Sequence, residues 1–172
     1  EARTNLLTYS SEFDNAAWAK VAVTVDANVG VAPDGTISMD RFNVPASFTE
    51  HYFNYSLTTT SGTTYTCSCF VKDDGARFAG LSFLDTGEQF ISVVYDLQLG
   101  IVTATDVGIT SGVLSDSGIV DCGNGIYRIW MTGSIIGDGS TYVDIQTSDS
   151  ATPTFNAAGR ISYLGVEGND LL

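Results

Sequence analysis

The chain has 172 residues, of which 20 are Asp or Glu and 7 are Lys or Arg, a formal net charge of −13 at pH 7. So few cations cannot neutralise a phosphate backbone, which excludes nucleic acid and anionic lipid as principal partners. Hydrophobic residues make up 44%, yet no apolar run is long enough to cross a bilayer, so no membrane insertion is expected.

A chain of this length suits one domain, residues 1–172, and can bury a core without crosslinks or metal. It opens on Glu1 rather than Met and without a secretory leader, which predicts a piece of a longer polypeptide or a processed form. Ser11–Lys20, "SEFDNAAWAK", is the one stretch with helical character, with Ser11 or Asp14 as cap, so at most one short N-terminal helix is expected.

Beyond it the pattern alternates. "HYFNYSL" puts His51, Phe53, Tyr55 and Leu57 on one face and Tyr52, Asn54 and Ser56 on the other. "YTCSCFVK" sets Tyr65, Cys67, Cys69 and Val71 against Thr66, Ser68, Phe70 and Lys72. "FISVVYDL" sets Ile91, Val93, Tyr95 and Leu97 against Ser92, Val94 and Asp96, and "TYVDIQT" sets Val143 and Ile145 against Tyr142, Asp144 and Gln146. This is the period of half-buried strands. Gly-rich and Asp-Gly or Asn-Gly punctuation at 72–78, 84–90, 96–102, 122–127 and 137–142 separates them. Residues 104–118 are the loosest stretch, a long loop or an edge strand. Short strands with turns at this spacing predict an all-β sandwich or barrel.

Cys67, Cys69 and Cys122 are an odd number, which forbids a fully paired disulfide framework. Small buried hydrophobes are the expectation for the first two. His51 is expected on the core side of its strand; neither it nor Cys122 completes a zinc-like set.

In "GNGIYRIWMTG", residues 123–133, Tyr127, Ile129 and Met131 share one face and Arg128, Trp130 and Thr132 the other. With the first set in the core, an indole and a guanidinium are left outside. Tyr52, Asn54, Phe70 and Lys72, the off-core members of their own strands, are expected to join them. Sugars suit such a face, because pyranose C–H groups stack on aromatic rings while Arg and Asn meet the hydroxyls. The competing expectation is packing: Trp130 would lie under residues 1–20, Phe70 would only pack, and Lys72 would be a plain surface charge.

"RTNLLTYSSEFDNAAWAK" (3–20), "APDGT" (32–36), "SGTTYTCSCFVKDDG" (61–75), "YDLQLGIVTA" (95–104) and "GNGIYRIWMTG" follow one another over nearly the whole chain. In that order they resemble a domain that recurs in virion proteins of tailed bacteriophages, in fibres, spikes and decoration proteins. More distantly the pattern is similar to jelly-roll carbohydrate-binding modules. The resemblance implies an antiparallel jelly-roll β-sandwich. It also implies non-catalytic binding of polysaccharide or host-surface glycan, or a structural place among other virion subunits, with homo-oligomers in view. The setting it implies is the virion surface, after assembly in the host cytoplasm. Phage relatives often end in a strand with Trp-Gly-Ala-Gln-Leu; here 161–170, "ISYLGVEGND", carries Leu164 in place of the aromatic. A structural calcium of the sugar-binding modules would fall to Glu12, Asp170 or backbone carbonyls.

Catalysis has little to rest on. The chain lacks a Gly-x-Ser-x-Gly elbow, a His-Glu-x-x-His pair and a phosphate loop. Acid pairs such as Asp73 and Asp74, or Asp138 and Asp144, include members at Gly-rich turns, where Asp serves turn geometry. A polysaccharide lyase or glycosidase is the third reading, behind a glycan-binding module and a purely structural capsid or fibre domain.

Overall fold

The computed structural model describes residues 4–45, 49–87, 89–108, 112–135, 139–156, 158, 160–161 and 170–171, the last two for their backbone. Every regular element among them is a strand. They are β1 (Ala19–Val21), β2 (Thr24–Val31), β3 (Ile37–Asn43), β4 (Tyr52–Thr58), β5 (Tyr65–Asp74), β6 (Phe78–Asp85), β7 (Phe90–Asp96), β8 (Ile101–Val107), β9 (Val113–Asp121), β10 (Ile126–Ser134), β11 (Ser140–Ser148) and β12 (Asp170–Leu171). They form two six-stranded sheets, ordered β1-β4-β11-β6-β7-β8 and β2-β3-β12-β5-β10-β9. All pairings are antiparallel, and the fold is an all-β sandwich. We call the first sheet A and the second sheet B.

Alternation places the core between the sheets. Phe53, Phe83, Val93, Tyr95, Val143 and Ile145 come from sheet A, and Phe42, Cys67, Val71, Ile129 and Met131 from sheet B, all within one buried cluster. Turn chemistry agrees with the punctuation. In "GNG", Gly123, Asn124 and Gly125 all take positive φ, the left-handed conformation that Asn tolerates and Gly adopts freely.

No helix forms in the described N-terminal segment. Successive i to i−3 bonds link Glu12, Asn15 and Trp18 to Tyr9, Glu12 and Asn15. The Asn15 side-chain oxygen takes the Ala17 N–H at 3.0 Å, and an Asn bonding its own neighbouring backbone in this way competes with a helix. Docking favours the turns as well. Trp18 is buried, with its ring 4.9 Å from Phe13 and Tyr55, and its indole N–H donates to the Tyr9 carbonyl at 2.8 Å.

Half-burial fails for the centre of sheet A. Every residue of β6 and β7 is buried. The outer face there is covered by a second apolar cluster in which Ala151, Phe155 and Ile161 meet Phe78, Val94 and Ala104. The cover leaves a polar seam beneath it. Gln146 donates to Ser82 at 2.7 Å, Ser82 and Ser92 share a hydrogen bond of 2.8 Å, and the Gln146 side-chain oxygen accepts the Ile161 N–H at 2.8 Å. Residues 104–118, expected as a loop or an edge, contribute to both sheet edges: β8 closes sheet A and β9 closes sheet B. Residues 109–111 lie outside the described part.

Candidate functional site

β10 has the expected phase. Ile129 and Met131 are fully buried, and Tyr127 packs against the same core. Arg128, Trp130 and Thr132 are half-buried on the opposite face. Directly opposite residues in antiparallel strands share a face, so the register builds the patch. Arg128 lies between Phe70 and Val120, Trp130 between Ser68 and Gly118, and Thr132 between Thr66 and Asp116. Phe70 is 47% exposed and Val120 50% exposed.

The indole is spread across the sheet because Gly118 leaves room for it. A Cβ at Gly118 would lie 2.3 Å from Trp130 Cζ2 and 2.4 Å from Cη2. The Trp130 Nε1–H donates to Asp116 Oδ2 at 3.3 Å. On the other side the Arg128 guanidinium lies 5.7 Å from the indole centroid, and its Nη2 donates to Ser68 Oγ at 3.3 Å. From below, the fully buried Tyr95 of β7 crosses the core and donates to the Trp130 carbonyl at 2.6 Å. Burial pushes the Tyr95 phenol well above its ordinary value, so it stays a donor. The backbone under the indole is thus held from the opposite sheet.

Phe70 and Lys72, expected beside Trp130, are indeed on β5, next to β10. Phe70 sits opposite Arg128, and Lys72 falls at the end of the row, opposite Ile126 near the 122–125 turn. Tyr52 and Asn54 are not there. They belong to β4 in sheet A and face out on the other side of the sandwich. The alternation correctly turned them away from the core, but consecutive strands β4 and β5 lie in different sheets, so "outward" points in opposite directions.

Tyr52 and Asn54 instead build a buried polar knot. Asn54 Nδ2 donates to Asp144 Oδ1 at 2.7 Å, and Arg160 Nε donates to Asp144 Oδ2 at 2.6 Å. The Arg160 guanidinium stacks over the Tyr52 ring at 4.2 Å, and Asn156 Nδ2 donates to Glu50 alongside. Asp144 is fully buried, and burial pushes its carboxyl up to about 6 against the pull of Arg160 and Asn54. Tied up by its partners and sealed from solvent, this carboxyl serves structure.

His51 is buried, as expected for the core side, and burial lowers its proton affinity. For calcium, no group of three His, Cys, Asp or Glu side chains converges among the described residues. Glu12 meets Asn15 Nδ2 at 3.4 Å. β12 sets the Asp170 backbone opposite Asp74, while the Asp170 side chain, Asp138 and Leu164 lie outside the described part.

Gly118, Asp116 and Ser68 complete the Trp130 patch and were not anticipated. One signal was available: a glycine inside a strand often marks the close approach of another group. A scan against protein-family models finds no match, and no curated protein matches the chain.

Proposed function

We propose that this domain is a non-catalytic carbohydrate-binding module of a phage virion protein, gripping polysaccharide on the outer face of sheet B. The observation that carries it is the indole of Trp130, laid over Gly118 and flanked by Arg128 and Asp116. An indole face can stack on the apolar side of a pyranose. Arg128, Asp116, Ser68 and Thr132 stand around it as donors and acceptors for hydroxyls, and Phe70 and Val120 extend the apolar floor. Such a shallow face trades water bonds for protein bonds at little net gain, so each site binds weakly and several copies on one particle would supply avidity. The jelly-roll assignment draws support from the strand order: β3, β12, β5 and β10 in one sheet interleave with β4, β11, β6 and β7 in the other, as two wound Greek keys require. Affinity electrophoresis in gels cast with candidate polysaccharides tests the reading. Retardation that disappears on Trp130→Ala supports it; retardation by no polysaccharide, or retardation indifferent to that change, rejects it.

A structural role among virion subunits is the second reading. It is favoured by the exposed apolar residues on the two edge strands and their turn, Leu99, Ile101 and Val107 on one side and Val113 and Val120 on the other. An edge with apolar side chains invites pairing with another chain. Sedimentation at micromolar concentration separates the readings, since assembly through these edges predicts a mass above the monomer.

A further inference from the structure

The outer face of sheet B differs on the two sides of Trp130. Side chains directly opposite one another in antiparallel strands form rows, and successive rows lie about 6.8 Å apart along the strands. The row on one side of the indole is Thr66, Thr132 and Asp116. It is wholly polar: the two threonine hydroxyls share a hydrogen bond of 2.8 Å, and Asp116 accepts the indole N–H at 3.3 Å. The row on the other side is Phe70, Arg128 and Val120. There a guanidinium stands between two apolar side chains that are 47% and 50% exposed.

Each flank selects a different chemistry. A carboxylate only accepts hydrogen bonds and a threonine hydroxyl both accepts and donates, so the first flank suits plain ring hydroxyls. The second flank offers polar partners nothing but N–H donors, because arginine accepts nothing. A bare hydroxyl there would lose water against Phe70 and Val120. A substituent with a carbonyl oxygen and a methyl group fits better, the oxygen on the guanidinium and the methyl on either apolar neighbour. An acetamido group has both. Arg128 directs Nη2 at Ser68 Oγ at 3.3 Å, but a guanidinium carries five N–H donors, so this bond does not exhaust them. A sugar carboxylate would also meet Arg128. It would do so on a chain of net charge −13, with Asp116 on the same face, and beside two side chains that favour a methyl over a charge.

We infer, as an extension that rests on the carbohydrate-binding reading, that this face takes neutral glycans built from N-acetylated amino sugars. The ring stacks on Trp130, its hydroxyls turn towards Asp116 and Thr132, and its acetamido group lies on Arg128 between Phe70 and Val120.

Titrations that follow the Trp130 indole N–H signal test the assignment. The probes are short oligosaccharides in matched pairs, glucose against N-acetylglucosamine and galactose against N-acetylgalactosamine, with glucuronate oligomers as the anionic probe. The N-acetylated member of at least one pair should bind about tenfold tighter than its hydroxyl counterpart. Its affinity should not change between low and high salt, since the ligand is uncharged. Arg128→Ala should bring that ratio towards unity, while Arg128→Gln, which keeps a donor, should retain part of it. The Trp18 signal, from the core, reports that each variant is folded. Matched pairs that bind equally at Trp130, a ratio untouched by Arg128→Ala, or glucuronate binding tighter than the neutral probes would each overturn the acetamido assignment while leaving the stacking site standing. Silence of the Trp130 signal towards every probe would overturn both.

Discussion

Gly118→Ala tests the indole platform without touching the indole. Gly118 has no positive φ, so alanine can adopt its backbone conformation. The new methyl group would occupy a point 2.3 Å from Trp130 Cζ2 and 2.4 Å from Cη2, well inside contact distance. Backbone does not crowd the site; the far end of a half-exposed side chain does, and it can swing away. Swinging breaks the 3.3 Å hydrogen bond to Asp116, a loss of about 1 kcal/mol. Replacing glycine inside a strand returns about 0.5–1 kcal/mol. Net stability should therefore change by less than about 1 kcal/mol, read by urea denaturation. Binding should suffer more. Losing one stacked ring contact is worth about 0.5–1.5 kcal/mol, a roughly 2- to 13-fold weaker dissociation constant, measured by affinity electrophoresis on whichever polysaccharide the parent retains. Retained affinity with a displaced indole would refute the platform argument. So would a loss of several kcal/mol in stability, since it would mean that the indole is a core element.

Other consequences follow from the buried polar knot and the cysteines. Arg160→Ala leaves the Asp144 carboxyl buried without its 2.6 Å cation, which should cost about 3–5 kcal/mol near pH 8. The loss should shrink near pH 5, where Asp144 can take up a proton, and adding Asp144→Asn should recover much of it in chemical denaturation. In the parent chain the Asp144 carboxyl binds its proton more tightly when folded, at about 6 against an ordinary value of 3.8. Its contribution is therefore fully present below the unfolded value and is lost as pH rises from about 4 to about 6, by up to roughly 3 kcal/mol. Asp96, held below the usual carboxylate range by hydrogen bonds from Arg77, acts oppositely: its stabilisation disappears as pH falls below about 4. Denaturation midpoints across pH should accordingly peak on the acid side of neutrality, and a flat profile between pH 4 and 7 would count against the Asp144 assignment. Burial pushes the Cys67 thiol up to about 12 and the Cys69 thiol well above its ordinary value, whereas Cys122 is exposed. An alkylating reagent at pH 8 should modify one thiol quickly, at Cys122, and the other two only on unfolding; peptide mass mapping checks the site.

What could be read from the sequence was whatever is local. Side-chain phase depends only on parity along one strand, so Ile129 and Met131 fell inward and Arg128 and Trp130 outward as expected. Sheet membership depends on where a turn delivers the next strand, and parity carries no trace of it. Parity therefore puts Tyr52 and Asn54 in phase with Trp130 although they lie across the sandwich. The double burial of β6 and β7 was hidden for a related reason. "FISVVYD" looks half-polar only if Ser92 and Asp96 are taken as solvent-facing; Ser92 bonds Ser82 beneath the cover, and Asp96 takes the Arg77 guanidinium at 2.6 Å. The cover includes Ala151, Phe155 and Ile161, from a region with no strand periodicity. Gly118 carried its meaning only in register with Trp130, which needs the β9–β10 pairing. The segment from Ser11 to Lys20 had helix-compatible spacing, but Phe13 and Trp18 gain more by docking on Phe53 and Tyr55 than an isolated short helix can offer.

The two tryptophans allow a decisive measurement in a single sample. Trp18 donates its indole N–H to the Tyr9 carbonyl in the core, and Trp130 donates to Asp116 on the outer face, so the two indole N–H resonances report separately in a nitrogen–proton correlation spectrum. Titration with polysaccharide oligomers should shift or broaden the Trp130 signal while the Trp18 signal stays in place. A Trp130 signal that ignores every saccharide bound by the domain, or a response confined to Trp18, would contradict the placement of the ligand on sheet B.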